Sequence, residues 1–98
     1  MADIKTTRLV NRLVLQTLDD LNGIPQTFDE IDDVVSERMA RRVTNHTADA
    51  IRYLEEAGYI AECRATAADE RCWKVTAKGM AQVARAVAED ELDRMIWG

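Results

Sequence analysis

Apolar residues recur in steps of three and four near the start of the chain. Leu9, Val10, Leu13, Val14, Leu18 and Leu21 form one stripe. That spacing predicts an amphipathic helix from about Ile4 to Leu21. Arg8, Arg12, Gln16 and Asp20 recur on another face of the same helix. Asn22-Gly23 ends it, and Pro25 blocks easy continuation. Thr27 with Glu30 three residues on reads as a capping box. A second helix follows, with Asp29, Glu30, Asp32 and Asp33 in its first two turns, where the helix dipole favours negative charge. Phe28, Ile31 and Val34 or Val35 would face the core. Its end is placed near Met39.

Thr44 reads as the cap of a third helix over Asn45–Ala57, with Thr47 or Ala48, Ile51 and Leu54 inward. Gly58 supplies a left-handed stop. Tyr59 to Arg64 then alternates as a strand, Ala65 to Glu70 turns the chain, and Arg71 to Val75 returns. Pairing Ile60 with Val75 sets Glu62 opposite Trp73 and Arg64 opposite Arg71. It also sets Cys63 opposite Cys72 on the other face, while Ile60, Trp73 and Val75 share the inward side. Thr76 caps a last helix from about Ala77 to Met95, carrying Met80, Val83, Val87 and Leu92.

The chain has 98 residues, which bounds it to one domain, 1–98, with one modest core. At 47% hydrophobic it is too apolar for a disordered chain. No apolar run is long enough to span a membrane, and the first residues lack a basic-then-apolar leader. A cytoplasmic protein is therefore expected. Enzyme chemistry finds little footing. The single serine, Ser36, and the single histidine, His46, fit no nucleophile motif, and the four glycines never cluster into a phosphate loop. Cys63, Cys72 and His46 are too few for a zinc site, so neither a metal nor another cofactor is expected. The two cysteines are read as free thiols in a reducing compartment, with a cross-strand disulfide as the alternative.

The element order, helix–helix–helix–strand–strand–helix, is mainly α with a small β-hairpin. Within it, Ala50-Ile51-Arg52-Tyr53-Leu54-Glu55-Glu56-Ala57-Gly58-Tyr59-Ile60 precedes Trp73-Lys74-Val75-Thr76-Ala77-Lys78-Gly79. This pattern resembles the winged helix-turn-helix superfamily of transcription regulators. It is similar to the small MarR and PadR types, in which a helix ending in L-E-x-x-G-Y-I leads into a wing closed by aromatic-x-apolar-T-x-x-G. The resemblance implies a DNA-binding regulator that reads duplex DNA with the third helix, the wing approaching the backbone or minor groove. A winged helix that binds protein and not DNA is the alternative.

Charge bears on that choice. The net charge of −5 opposes binding to a polyanion. By region, residues 1–37 carry −5, residues 38–78 carry +2 and residues 79–98 carry −2. The positive excess falls on the third helix and wing. Candidate phosphate contacts are Arg41 and Arg42, with Arg38 beside them, and Arg64, Arg71 and Lys74 on the wing; pairing of the first group with the acids of the second helix is the competing reading. Asn45, His46, Asp49 and Tyr53 lie on the helix face opposite Ile51, with Arg52 at its margin, and Asn45, His46 and Asp49 are suited to base edges. Glu56 shares that face. The last helix, with its alanines and the apolar end Leu92 to Trp97, is expected to pack on the first helix or to pair two subunits. Pairing into a homodimer is favoured, as the resemblance implies.

Overall fold

The computed structural model describes residues 4–64 and 70–85. Helix α1 (Ile4–Asp20) is followed by a two-residue strand β1 (Gln26–Thr27), then α2 (Phe28–Met39) and α3 (Thr44–Glu56). Strands β2 (Ile60–Arg64) and β3 (Arg71–Val75) form a hairpin, and residues 77–85 begin a further helix, α4. The part of the expected last helix beyond residue 85, its proposed pairing role and the hairpin tip at 65–69 lie outside the described residues.

In α1 the innermost line is Val10, Val14 and Leu18, each fully buried. Leu15 joins them at the core, whereas Leu9 is 42% exposed. A stripe centred on a four-residue step carries Leu9 a hundred degrees away from Val10, so the wider stripe read from the sequence includes one residue too many on that side. The helix ends at Asp20, and Asn22 and Gly23 both take positive φ.

The Thr27 cap is present as expected. Its hydroxyl accepts the Glu30 N–H at 3.3 Å, and the Glu30 carboxylate accepts the Thr27 N–H at 3.2 Å. The structure adds what the sequence did not signal: Gln26 and Thr27 also pair antiparallel with Trp73 and Cys72. The sheet is therefore three-stranded in the order β1-β3-β2, with β3 central. A two-residue strand beside Pro25 is too short to show any alternation.

The hairpin register agrees with the one read from the sequence, from Ile60 opposite Val75 to Arg64 opposite Arg71. Ile60, Trp73 and Val75 are buried on the inner side with Ile31, Val35, Ile51 and Leu54. Helix α3 closes with a left-handed Gly58 (φ 82°), with the Gly58 N–H on the Glu55 carbonyl at 3.0 Å and the Tyr59 N–H on the Leu54 carbonyl at 2.9 Å. The Thr76 hydroxyl donates back to this turn, to the Gly58 carbonyl at 2.7 Å, and accepts the Gly79 N–H at 3.1 Å to start α4. Gly79 is required here. A Cβ on it would overlap the Tyr59 carbonyl oxygen and sit 2.8 Å from a Val75 methyl.

Candidate nucleic-acid interface

The turn between α2 and α3 fixes how α3 is presented. Helix α2 ends at Met39, and Ala40 takes the left-handed conformation with φ 58°. Its N–H and that of Arg41 return to the Glu37 and Ser36 carbonyls. Thr44 does not cap α3, contrary to the sequence expectation. The cap position is Val43, whose side chain makes no capping bond, and Thr44 is the first helical residue.

Side-chain satisfaction at this helix start comes from α2 instead. Asp32 is only 5% exposed, and its carboxylate accepts the hydroxyls of Thr44 and Thr47, each at 2.9 Å. It also accepts Arg42 Nη1 at 3.1 Å and the Ser36 hydroxyl at 3.4 Å, and Ser36 Oγ accepts the Val43 N–H. Burial pushes the Asp32 pKa up, but the bonds from Thr47, Thr44 and Arg42 outweigh it and hold the carboxyl below its ordinary value. The sequence reading placed Asp32 only as an acid in an early helical turn. Its one local signal was Ser36, one turn on.

Arg42 is thus engaged within the chain. It reaches Asp33 at 3.2 Å as well as Asp32, and these bonds, Asp33 first, raise its pKa. Arg41 donates to the Thr6 hydroxyl at 3.1 Å, and Arg38 lies 4.0 Å from Asp20. Both Arg41 and Arg42 remain exposed beside the start of α3.

On α3 the buried residues are Thr47, Ala50, Ile51 and Leu54. Asn45, Asp49, Arg52 and Glu56 are exposed on the opposite side, and His46 is half-buried. The expected face does not stay together at its edges. Tyr53, 54% exposed, lines a groove with Arg8, Asn11, Arg12 and Gln16 of α1 and with Tyr59. Arg52 leans the other way, into a recess with Ala48, Glu55, Arg71 and Trp73 between α3 and the wing. Arg52 and Lys74 form an ion pair with none of the described residues.

The wing divides by strand alternation. Arg71 stands on the α3 side of the sheet with Trp73, and Arg64 is directly opposite it. Lys74, one residue along β3, points to the other side, so the three wing cations do not form one patch. Arg71 donates two bonds to the Glu62 carboxylate, at 2.9 and 3.0 Å, and its guanidinium lies 5.1 Å from the Trp73 ring centre. The hydrogen bonds from Arg71 lower the Glu62 pKa, and Glu62 in turn raises that of Arg71. Trp73 Nε1 donates to the Glu55 carboxylate of α3 at 3.3 Å. This bond ties wing to helix. From the sequence, Trp73 is an inward residue and the aromatic of the wing motif and Glu55 a motif position, with no contact expected between them.

A helix held over a turn from its predecessor and flanked by a hairpin is an arrangement found in known structures. No protein-family model matches the chain, and no curated protein matches it. Solved structures do. A transcriptional regulator from Clostridium thermocellum, Cth-833, superposes with a TM-score of 0.76 at 17% identity, over 98% of this chain and 94% of that one. The chain has a winged-helix fold. This winged helix is also similar to SSV1 F-93, with a TM-score of 0.66 at 22% identity over 89% of this chain and 91% of that one. MepR of Staphylococcus aureus, a regulator of the multidrug efflux pump MepA, matches with a TM-score of 0.65 at 18% identity. That match takes in 89% of the present chain but 61% of MepR. At these identities the likeness is one of fold.

Proposed function

We propose that this winged helix is a DNA-binding transcriptional regulator that reads duplex DNA with α3 and its wing. The observation that carries the reading is the free outer side of α3. Asn45, Asp49 and Arg52 are exposed there, the helix behind them is anchored through Asp32, and no described residue covers them. Two of the matched solved structures are described as transcription regulators, which supports the same reading. In this reading Asn45, His46, Asp49 and Arg52 meet base edges in the major groove. Arg41, Arg42, Arg64 and Arg71 meet phosphates, and Lys74 meets the backbone only from the outer side of the wing. Tyr53, on the α1 flank, lies away from the base-reading group. A homodimer presenting two α3 helices to two half-sites completes the proposal.

One observation favours the second reading, a protein-binding winged helix. Asp49 and Glu56 sit on the exposed side of α3, and Arg42 and Arg71 are already matched by carboxylates. Selection of bound duplexes from a random DNA pool, followed by affinity measurements over a range of salt, separates the two. A regulator enriches a motif, and its affinity falls steeply with salt. Folded protein that enriches no sequence and binds no duplex at low salt would overturn the DNA reading in favour of the protein partner.

A further inference from the structure

We infer that Cys63 and Cys72 are a redox pair that closes reversibly into an intrachain disulfide across the hairpin. They are the only two cysteines of the chain, and the register sets them directly opposite on one face of the sheet. Both are free thiols in the structure.

The ladder position shapes the chemistry. Antiparallel pairs alternate between hydrogen-bonded and non-hydrogen-bonded sites. The Thr76 N–H donates to the Tyr59 carbonyl at 3.0 Å, so Ala61–Lys74 and Cys63–Cys72 fall on hydrogen-bonded sites. Such sites hold Cα atoms about 5.5 Å apart, within the range a disulfide spans. Their Cβ atoms stand at the wide end of cross-strand spacing, about 1 Å beyond what a disulfide spans, so the bond forms only as the two strands are drawn together at this pair. That pull stores strain, and a strained disulfide is easier to reduce again. Cys72 Sγ contacts the Glu70 carbonyl at 3.6 Å, and closing the bond turns it off that weak partner.

The two thiols are unequal. Cys72 is 3% exposed, on the central strand between Thr27 and Cys63, whereas Cys63 is half-buried. An oxidant reaches Cys63 first. With hydrogen peroxide, the Cys63 thiolate attacks one peroxide oxygen and the O–O bond breaks. Hydroxide leaves and becomes water with the proton that the thiol gave up, leaving a sulfenic acid. The Cys72 sulfur then attacks the Cys63 sulfur. The S–S bond forms, the S–O bond breaks, and the second hydroxide leaves as water with the Cys72 proton. Two thiols have lost two electrons, and one peroxide has become two waters. A dithiol reductant reverses the bond by exchange.

The test treats the full chain with peroxide and reads intact mass without reductant. The expected product is a single chain lighter by two hydrogens, yielding a Cys63–Cys72 linked peptide and restored by dithiothreitol. In Cys72→Ser, a sulfenic acid persists at Cys63 and is captured by dimedone. In Cys63→Ser, Cys72 stays largely unreacted while circular dichroism shows the native helical content. The inference is wrong if both thiols of the unmutated chain remain alkylatable after peroxide, or if the product is a cross-linked pair of chains. These readouts do not involve DNA, so they stand whether or not the regulator reading does.

Discussion

Asp32 is the residue on which the presentation of α3 depends. It joins α2 to the α2–α3 turn and the start of α3 by three short bonds, one from Arg42 in the turn and two from threonine hydroxyls in the first turn of α3. Hydrogen bonds to a buried charge contribute about 1.5–3 kcal/mol each, and truncation leaves their donors unmatched. Asp32→Ala is expected to lower unfolding stability by about 2–4 kcal/mol in urea titrations. The pH dependence has a definite sign. The folded pKa lies below the ordinary 3.8, so the unfolded chain takes up the proton first. The stabilisation is full above 3.8 and is lost as pH falls through the folded value. Asp32→Asn should therefore be less stable at neutral pH and lose less on acidification than the native chain. Equal acid limbs for the two would show that the carboxylate does not stabilise the fold. Gly79 is the other residue with a fixed identity. Gly79→Ala pushes a methyl into the Tyr59 carbonyl, and an overpacking cost of about 1–3 kcal/mol is expected from thermal unfolding.

Among the elements, the α2–α3 turn and the wing each carry an identifiable tension. Ala40 holds a left-handed backbone that costs a residue with a Cβ about 1–2 kcal/mol. Ala40→Gly removes that cost but adds chain freedom to the unfolded state. A net gain of about 0.5–1 kcal/mol in unfolding free energy is expected. A loss would mean that the methyl is packed more tightly than its exposed position implies. On the wing, Glu62 occupies the guanidinium of Arg71 that a phosphate would otherwise meet. Glu62→Gln keeps the shape and removes the competing charge. In the regulator reading it tightens DNA binding and steepens the salt dependence by about one phosphate's worth. An unchanged salt slope would take Arg71 out of the interface.

At the scale of the whole molecule, the proposed assembly rests on the apolar side chains that the described residues leave exposed. Ile4, Leu9, Tyr53 and Met80 are exposed apolar side chains on α1, α3 and α4. The proposed homodimer covers such surface, and light scattering at micromolar protein should return twice the 11.1 kDa chain mass. A mass of one chain would remove the dimer and, with it, the expectation of two half-sites.

Local chemistry was enough to place most of the elements. A capping box needs only Thr27 and Glu30. The end of α3 needs only Gly58, and the hairpin register follows from alternation between Ile60 and Val75. Each of these is settled by neighbours in the chain, because caps, turns and strand periods act over a few residues. Tertiary structure alone decided what lies beyond that range. It made Gln26–Thr27 a third strand, gave Asp32 rather than Thr44 the anchoring of α3, tied Glu55 to Trp73, and sent Tyr53 and Lys74 to different sides from Arg52. Those outcomes depend on which surfaces meet when the helices and sheet close on one core. A buried carboxylate takes whichever donors that closure brings within about 3 Å.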